Sequence, residues 1–481
     1  MWLLHVVASA LAADDECARG AATAAALFPA LAAPPRYVAF DAASEDFVPS
    51  IVNGGRPVVL TGSPAARWGV VDRSSAHAWT PAVFAAALES ANQSMRAHTS
   101  VARITQLHSA VSPLGALDAG WLRPYDEVTF VPADFMQRAS EGEHLIYFTP
   151  LKSLPKALRE GVGDVVDFAV PWRRILEVNT WIAGAGQATP AHYDVSGNMY
   201  VQVHGRKRFV LFPPSAARYL YLFPKIHPAD RSTQIDFDAS IDSIQETFFD
   251  FEPDEWSDDG CDGDAPVLVD LRPGEVLYIP PYWFHYVAPL ERGRSSSSSS
   301  SAGVAEGGGA DISMSISIAL DSEQVELREL LRAKAPPIAR SAPLRARDAA
   351  LRAFFVELLG GGSVPRAARF ARELVRTRWS HAGADVGRPR VASRLEAVLR
   401  EESAAFEQDV RGPLASVGDA TRSELRGFAR ALHSDLHSRV YEFSAAELEI
   451  ELGNYVEDCV AHTLNATLVG AFLRRFARVG G

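Results

Sequence analysis

Thr189-Pro190-Ala191-His192-Tyr193-Asp194, then residues 198–203, a His204-Gly205 turn and residues 207–212, form the stretch whose reading decides the fold. Both flanking runs are rich in β-branched and aromatic residues. A Gly-containing turn separates them and Pro213-Pro214 stops the second, so the pattern predicts a β-hairpin. Residues 267–271, an Arg272-Pro273-Gly274 turn and residues 275–279 predict a second hairpin. Residues 144–148, 179–183 and 312–320 read as further strands, and 57–62 as a short buried one. Many short strands with Gly/Pro turns point to a double-sheet barrel of the jelly-roll type.

The same stretch carries the chemistry. Residues two apart on a strand point to one face, so His192 and Asp194 are expected to converge on one ion with Tyr193 turned away. The third ligand is His285, which ends Pro280-Pro281-Tyr282-Trp283-Phe284-His285 and must lie on a strand opposite. Two imidazoles and one carboxylate hold Fe(II) on one face and leave the other open. A purely structural His–Asp pair is the alternative for the tripeptide alone. Lys207 opens the strand after the turn. A lysine inside a barrel is costly without a carboxylate partner, and a dicarboxylate chelating the metal supplies one. Solvation of one cation in Arg206-Lys207-Arg208 is the alternative.

The run from Thr189 to Asp194, with Asn198, the His204-to-Pro214 segment, Asp230-Arg231-Ser232-Thr233-Gln234 and Pro273-Gly274-Glu275 through His285, resembles the JmjC and cupin-like 2-oxoglutarate oxygenases, nearest to their asparaginyl-hydroxylase branch. The likeness is strongest over residues 140–320, fainter over 37–140 and faintest beyond. It implies a double-stranded β-helix and an Fe(II) ion on His192, Asp194 and His285. It also implies 2-oxoglutarate with its distal carboxylate on Lys207, aided by Thr189 and Tyr147. Asn198 and Ser317 match positions beside the cosubstrate. Oxygen is the second cosubstrate, and hydroxylation of a protein or peptide side chain is the implied reaction. Ser317 and Ala319 stand where the nearest relatives carry an asparagine and a bulky aromatic, so the substrate end must differ. Three other readings stay open. One keeps the chemistry on a methyl-lysine or tRNA base, one is a silent JmjC-like scaffold, and one is a cupin with another metal.

Composition sets the bounds. The 481 residues are 47% apolar and 22% charged, enough for a sizeable core. The formal net charge of −12 disfavours general binding to nucleic-acid phosphates. Cys17, Cys261 and Cys459 form no CxxC pair, so no zinc ribbon is available. Residues 1–13 are apolar, with a small-residue site at Ala10-Leu11-Ala12, and read as a signal peptide. That places the chain in the secretory pathway or endoplasmic reticulum lumen; the cytoplasm or nucleus is the alternative. No segment is long and apolar enough to span a bilayer.

The expected organisation is a disordered lead-in over 14–36, then a supporting N-terminal α/β part over 37–140. The catalytic barrel covers 141–320, with an acidic insertion at 248–264 and a Ser/Gly-rich loop at 292–310, read as a long hairpin connection. A helical region fills 321–481. Thr80-Pro81 opens a helix with an N-cap and a proline in the first turn. Ser393…Glu396 and Ser444…Glu447 are capping boxes. The helix after Ser444 is expected to run towards Phe476. Leu425, Phe428, Ala429, Leu432 and Leu436 form a stripe that packs a core or, in the competing reading, a homodimer.

Overall fold

The computed structural model describes residues 34–100, 125–168, 174–184, 187–237, 239, 241–249, 251, 266–290, 312–379, 404–406, 408, 417–439 and 442–479. Thirteen strands are present among them: β1 (Tyr37–Ala39), β2 (Val58–Thr61), β3 (Met95–Thr99), β4 (Asp126–Phe130), β5 (Leu145–Pro150), β6 (Ile175–Ala183), β7 (Thr189–His192), β8 (Gly197–His204), β9 (Lys207–Phe212), β10 (Val267–Leu271), β11 (Val276–Ile279), β12 (Phe284–Pro289) and β13 (Ser313–Leu320). They form a nine-stranded sheet in the order β1-β2-β11-β8-β13-β6-β5-β3-β4 and a four-stranded sheet in the order β10-β9-β12-β7. Only the β1–β2 pairing is parallel. The two facing sheets are the jelly-roll barrel, and the expected mainly-β core stands.

Alternation sorts each strand between two cores. On β8, Met199, Val201 and Val203 face outward, against helices α1 (Phe47–Asn53), α2 (Pro81–Ser90) and α3 (Pro132–Ser140). Tyr200 faces inward, where Phe209, Leu211, Val269, Leu277 and Trp283 fill the barrel. Thr80 caps α2 as expected, its side chain accepting from the Val83 N–H. The outer face of the small sheet is covered by residues 214–237 and 241–249 and by Phe251, with Tyr221, Phe237 and Phe251 fully buried.

Neither expected hairpin is a hairpin. β8 pairs with β11 and β13, whereas β9 pairs with β10 and β12. β10 and β11 likewise lie in different sheets, as do β12 and β13 on either side of the Ser/Gly-rich loop. A strand has two ladder edges, and on β8, β9 and β11 both are taken by strands distant in sequence. The short turns therefore carry the chain across the barrel rather than back along one sheet. At the β8–β9 corner Gly205 has φ +68°, and a Cβ there would lie 2.4 Å from the Ile312 carbonyl oxygen. Only glycine fits both demands.

Beyond the barrel come α4 (Glu323–Arg332), α5 (Leu344–Gly360), α6 (Val364–Leu374), α7 (Asp419–His437), α8 (Ala445–Thr463) and α9 (Val469–Ala477). The α7 stripe buries Leu425, Ala429, Leu432 and Leu436 in one cluster with Phe354 and Phe355 of α5, so it packs within the chain. Ser444 and Glu447 form the expected capping box on α8. The helix does not run on to Phe476: it ends at Thr463, and α9 starts afresh at Val469. Asn465 causes the restart, since its extended backbone leaves its side chain to accept from the Thr467 N–H and cap a new turn. Cys459 is a free, buried thiol. Residues 1–33, the Ser393…Glu396 box, most of the expected acidic insertion, the expected Ser/Gly-rich loop at 292–310, Cys17 and Cys261 lie outside the described residues.

Candidate metal and cosubstrate site

His192 is the last residue of β7 and pairs directly with His285 on β12. The barrel register thus does what the sequence reading required of a distant strand. Asp194 differs from expectation. β7 has already ended, so strand alternation does not aim its carboxylate. A loop does, held by backbone bonds from Tyr282 N–H to Asp194 O at 2.8 Å and from Tyr193 N–H to Arg231 O at 3.2 Å. Arg231 also donates to Asp194 Oδ1 at 3.1 Å. The ligand atoms of His192, Asp194 and His285 all lie within 4.8 Å of one another.

Each imidazole has one nitrogen engaged. His192 Nδ1 lies 2.9 Å from the Pro190 carbonyl oxygen and His285 Nδ1 3.0 Å from that of Trp283. A carbonyl only accepts, so both Nδ1 atoms carry the proton and both Nε2 lone pairs are free for a metal. Burial, and secondly His285, pushes His192 down to about 4, and burial lowers His285 too. For Asp194 burial works upward, but His192, His285 and Arg231 outweigh it and keep the carboxyl below its ordinary value. At neutral pH the cluster is two neutral imidazoles and one carboxylate, the donor set that suits a divalent iron with open coordination positions.

Lys207 stands in the same cavity, 4% exposed. Its Nζ donates to Tyr200 Oη at 2.6 Å and Ser315 Oγ at 2.8 Å. No carboxylate of the described residues pairs with it, and burial pushes it down to about 7. Among the described residues this buried cation has two hydroxyls and the face of the Tyr200 ring but no counter-charge, so an anionic ligand group fits there. Thr189 and Asn198 line the same cavity, and Asn198 Oδ1 is buried without a hydrogen-bond partner among the described residues. Ile146, Trp181, Ala183 and Val287 make the apolar wall.

Two residues expected beside the cosubstrate, Tyr147 and Ser317, are not among those lining the cavity. Tyr147 follows Ile146 on β5, and since Ile146 faces the cavity Tyr147 faces away, packing on Phe135 in the outer core. Ser317 accepts from Trp181 Nε1 at 2.9 Å and so supports the cavity wall without reaching Lys207. Sequence reasoning missed Tyr200 and Ser315. The signal was present: Tyr200 is two residues from Asn198, and Ser313, Ser315 and Ser317 alternate with Met314, Ile316 and Ile318. Arg231 carried no such signal, because its role comes from a loop.

Residues 44–305, more than half of the chain, match the cupin-like domain family. HSPB1-associated protein 1 of Rattus norvegicus is 34% identical over 126 residues, 26% of this chain and 24% of that protein. tRNA wybutosine-synthesizing protein 5 of Danio rerio is 29% identical over 190 residues, 35% of this chain and 50% of that protein. Lysine-specific demethylase JMJ30 of Arabidopsis thaliana is 35% identical over 118 residues, 24% of each. The matched stretch spans about a quarter of the HSPB1-associated proteins' own length.

Proposed function

We propose, from the premise that this chain belongs to the family of cupin-like domains, that it is an Fe(II)- and 2-oxoglutarate-dependent oxygenase that hydroxylates a protein side chain. One observation carries the reading. The His192–Asp194–His285 cluster and a buried Lys207 without a carboxylate partner among the described residues line one cavity.

The two Nε2 atoms and the Asp194 carboxylate would hold the iron. Lys207 and the Tyr200 hydroxyl would take the distal carboxylate of 2-oxoglutarate. When bound, iron and cosubstrate supply oxidation by O2, with 2-oxoglutarate going to succinate and CO2 and one oxygen atom entering a substrate C–H bond. The chain's own part is geometric. Arg231 occupies Asp194 Oδ1 and leaves Oδ2 free. The Pro190 and Trp283 carbonyls fix both imidazole tautomers. Ile146, Trp181 and Val287 give the cavity an apolar wall.

A second reading keeps this chemistry on another substrate, because the relatives include proteins named for tRNA wybutosine synthesis and lysine demethylation. The net charge of −12 weighs against an RNA substrate. A silent scaffold has no need of a complete donor set. The test is 2-oxoglutarate binding to the Fe(II) protein without oxygen, and succinate release with it. The expected result is binding that Lys207→Ala weakens by about a hundredfold or more while iron binding persists, since a charged hydrogen-bonded pair is worth about 1.5–3 kcal/mol and its carboxylate is left unpaired. Absence of cosubstrate binding in the wild type overturns the proposal.

A further inference from the structure

We propose that Tyr193, the residue between two ligands of the metal cluster, is the positioning residue through which the C-terminal helices hold Asp194 in place; this rests on the metal-site reading above. Asp194 lies beyond β7, so no strand ladder fixes it. Its local supports come from two residues with left-handed backbones, Tyr282 at φ 61° and Arg231 at φ 72°. The remaining support comes from behind.

The Tyr193 ring is 1% exposed and stacks on Tyr282, with centroids 5.0 Å apart and planes at 19°. Its hydroxyl accepts from Asn454 Nδ2 at 3.1 Å and from Arg328 Nη2 at 3.3 Å. Asn454 lies on α8 and Arg328 on α4. Both donors are pinned by Glu451, at 2.9 Å from Asn454 Nδ2 and 2.6 Å from Arg328 Nη2. Packing alone does not explain this, because phenylalanine would fill nearly the same space. The hydroxyl sets the ring's depth and rotation. Through one backbone step on either side it sets where His192 and Asp194 point. Tyr282, the stacking partner, also donates its N–H to the Asp194 carbonyl, so the aromatic pair grips the ligand loop at two points. Without the hydroxyl the loop gains freedom to rotate, and metal affinity falls while the fold persists.

The test is a titration of the metal-free protein with Co(II), read by its visible absorption, beside thermal unfolding. Tyr193→Phe and Asn454→Ala are each expected to raise the metal Kd about tenfold, the effect of losing one or two buried hydrogen bonds. Their absorption bands should change; Tyr193→Phe should melt within a few degrees of the wild type, whereas Asn454→Ala, which also removes an acceptor of the buried Arg378, should melt lower. The double variant should exceed the single ones only slightly, because both remove the same bond. If Tyr193→Phe fails to fold, Asn454→Ala probes the same hydroxyl from α8. A metal Kd within twofold of the wild type overturns the inference, as does a lowered melting temperature with unchanged metal binding. A wild type whose Co(II) binding is indifferent to His192→Ala overturns the metal-site reading itself.

Discussion

Lys207 is held among hydroxyls rather than carboxylates, and that sets its proton chemistry. Its ordinary value is 10.5 and burial lowers it to about 7 in the folded chain. Between those values the unfolded chain binds more protons than the folded one, so this group's contribution to stability rises with pH across that window. Below about 7 both states are protonated, and the cost of burying the ammonium is felt in full. A carboxylate bound beside it reverses the shift. Binding of N-oxalylglycine, an unreactive 2-oxoglutarate mimic, should therefore take up protons at pH 8. Calorimetry in buffers of different ionisation heat measures this uptake. The wild type should take up close to one proton and Lys207→Met far less; equal uptake by both would remove Lys207 from the site. The residue chemistry was legible in sequence because two histidines, a carboxylate and a lysine are costly to bury without a purpose. Tyr147, which the resemblance alone suggested, lies one residue from the cavity-facing Ile146, and one residue on a strand is the opposite face.

At the scale of elements, strand positions were readable and strand partners were not. The β8–β9 turn has the composition of a hairpin turn, yet it joins two sheets. Composition reports local backbone freedom, not which ladder edges are vacant. Gly205 sits where the corner needs a left-handed backbone and no Cβ. Gly205→Ala should lower stability by more than about 1 kcal/mol. Gly427 is the control: it lies exposed on α7, and a Cβ there would have nothing within 4 Å. Gly427→Ala should raise stability by about 1 kcal/mol. Denaturant midpoints of the two variants check the contrast. Equal effects would show that the corner carries no strain.

For the whole molecule, the C-terminal helices are more than an appendage. Asn454 accepts from Arg378 Nη1 at 2.9 Å while donating to Tyr193 and Glu451. Glu457 accepts from Arg378 at 3.2 Å and from the Lys225 N–H at 2.6 Å, and its side chain is fully buried. This polar cluster ties α8 to the 218–234 segment that covers the small sheet. Glu457→Ala strands Arg378 in the interior and should cost about 3–5 kcal/mol. A shift in the chemical denaturation midpoint with unchanged slope measures it; a loss below about 1 kcal/mol would mean that water replaces the carboxylate.

What the amino-acid sequence determined by itself was local. It settled which runs extend, where Thr80 and Ser444 start helices, and which side chains carry costly chemistry. Tertiary structure alone decided which strands are neighbours and that His285 stands opposite His192. It also placed Asp194 on a loop gripped by Arg231, Tyr282 and a buried tyrosine. The physical reason is range. Backbone propensity and side-chain cost act over a few residues, whereas ladder edges and buried hydrogen bonds are satisfied by groups far away along the chain.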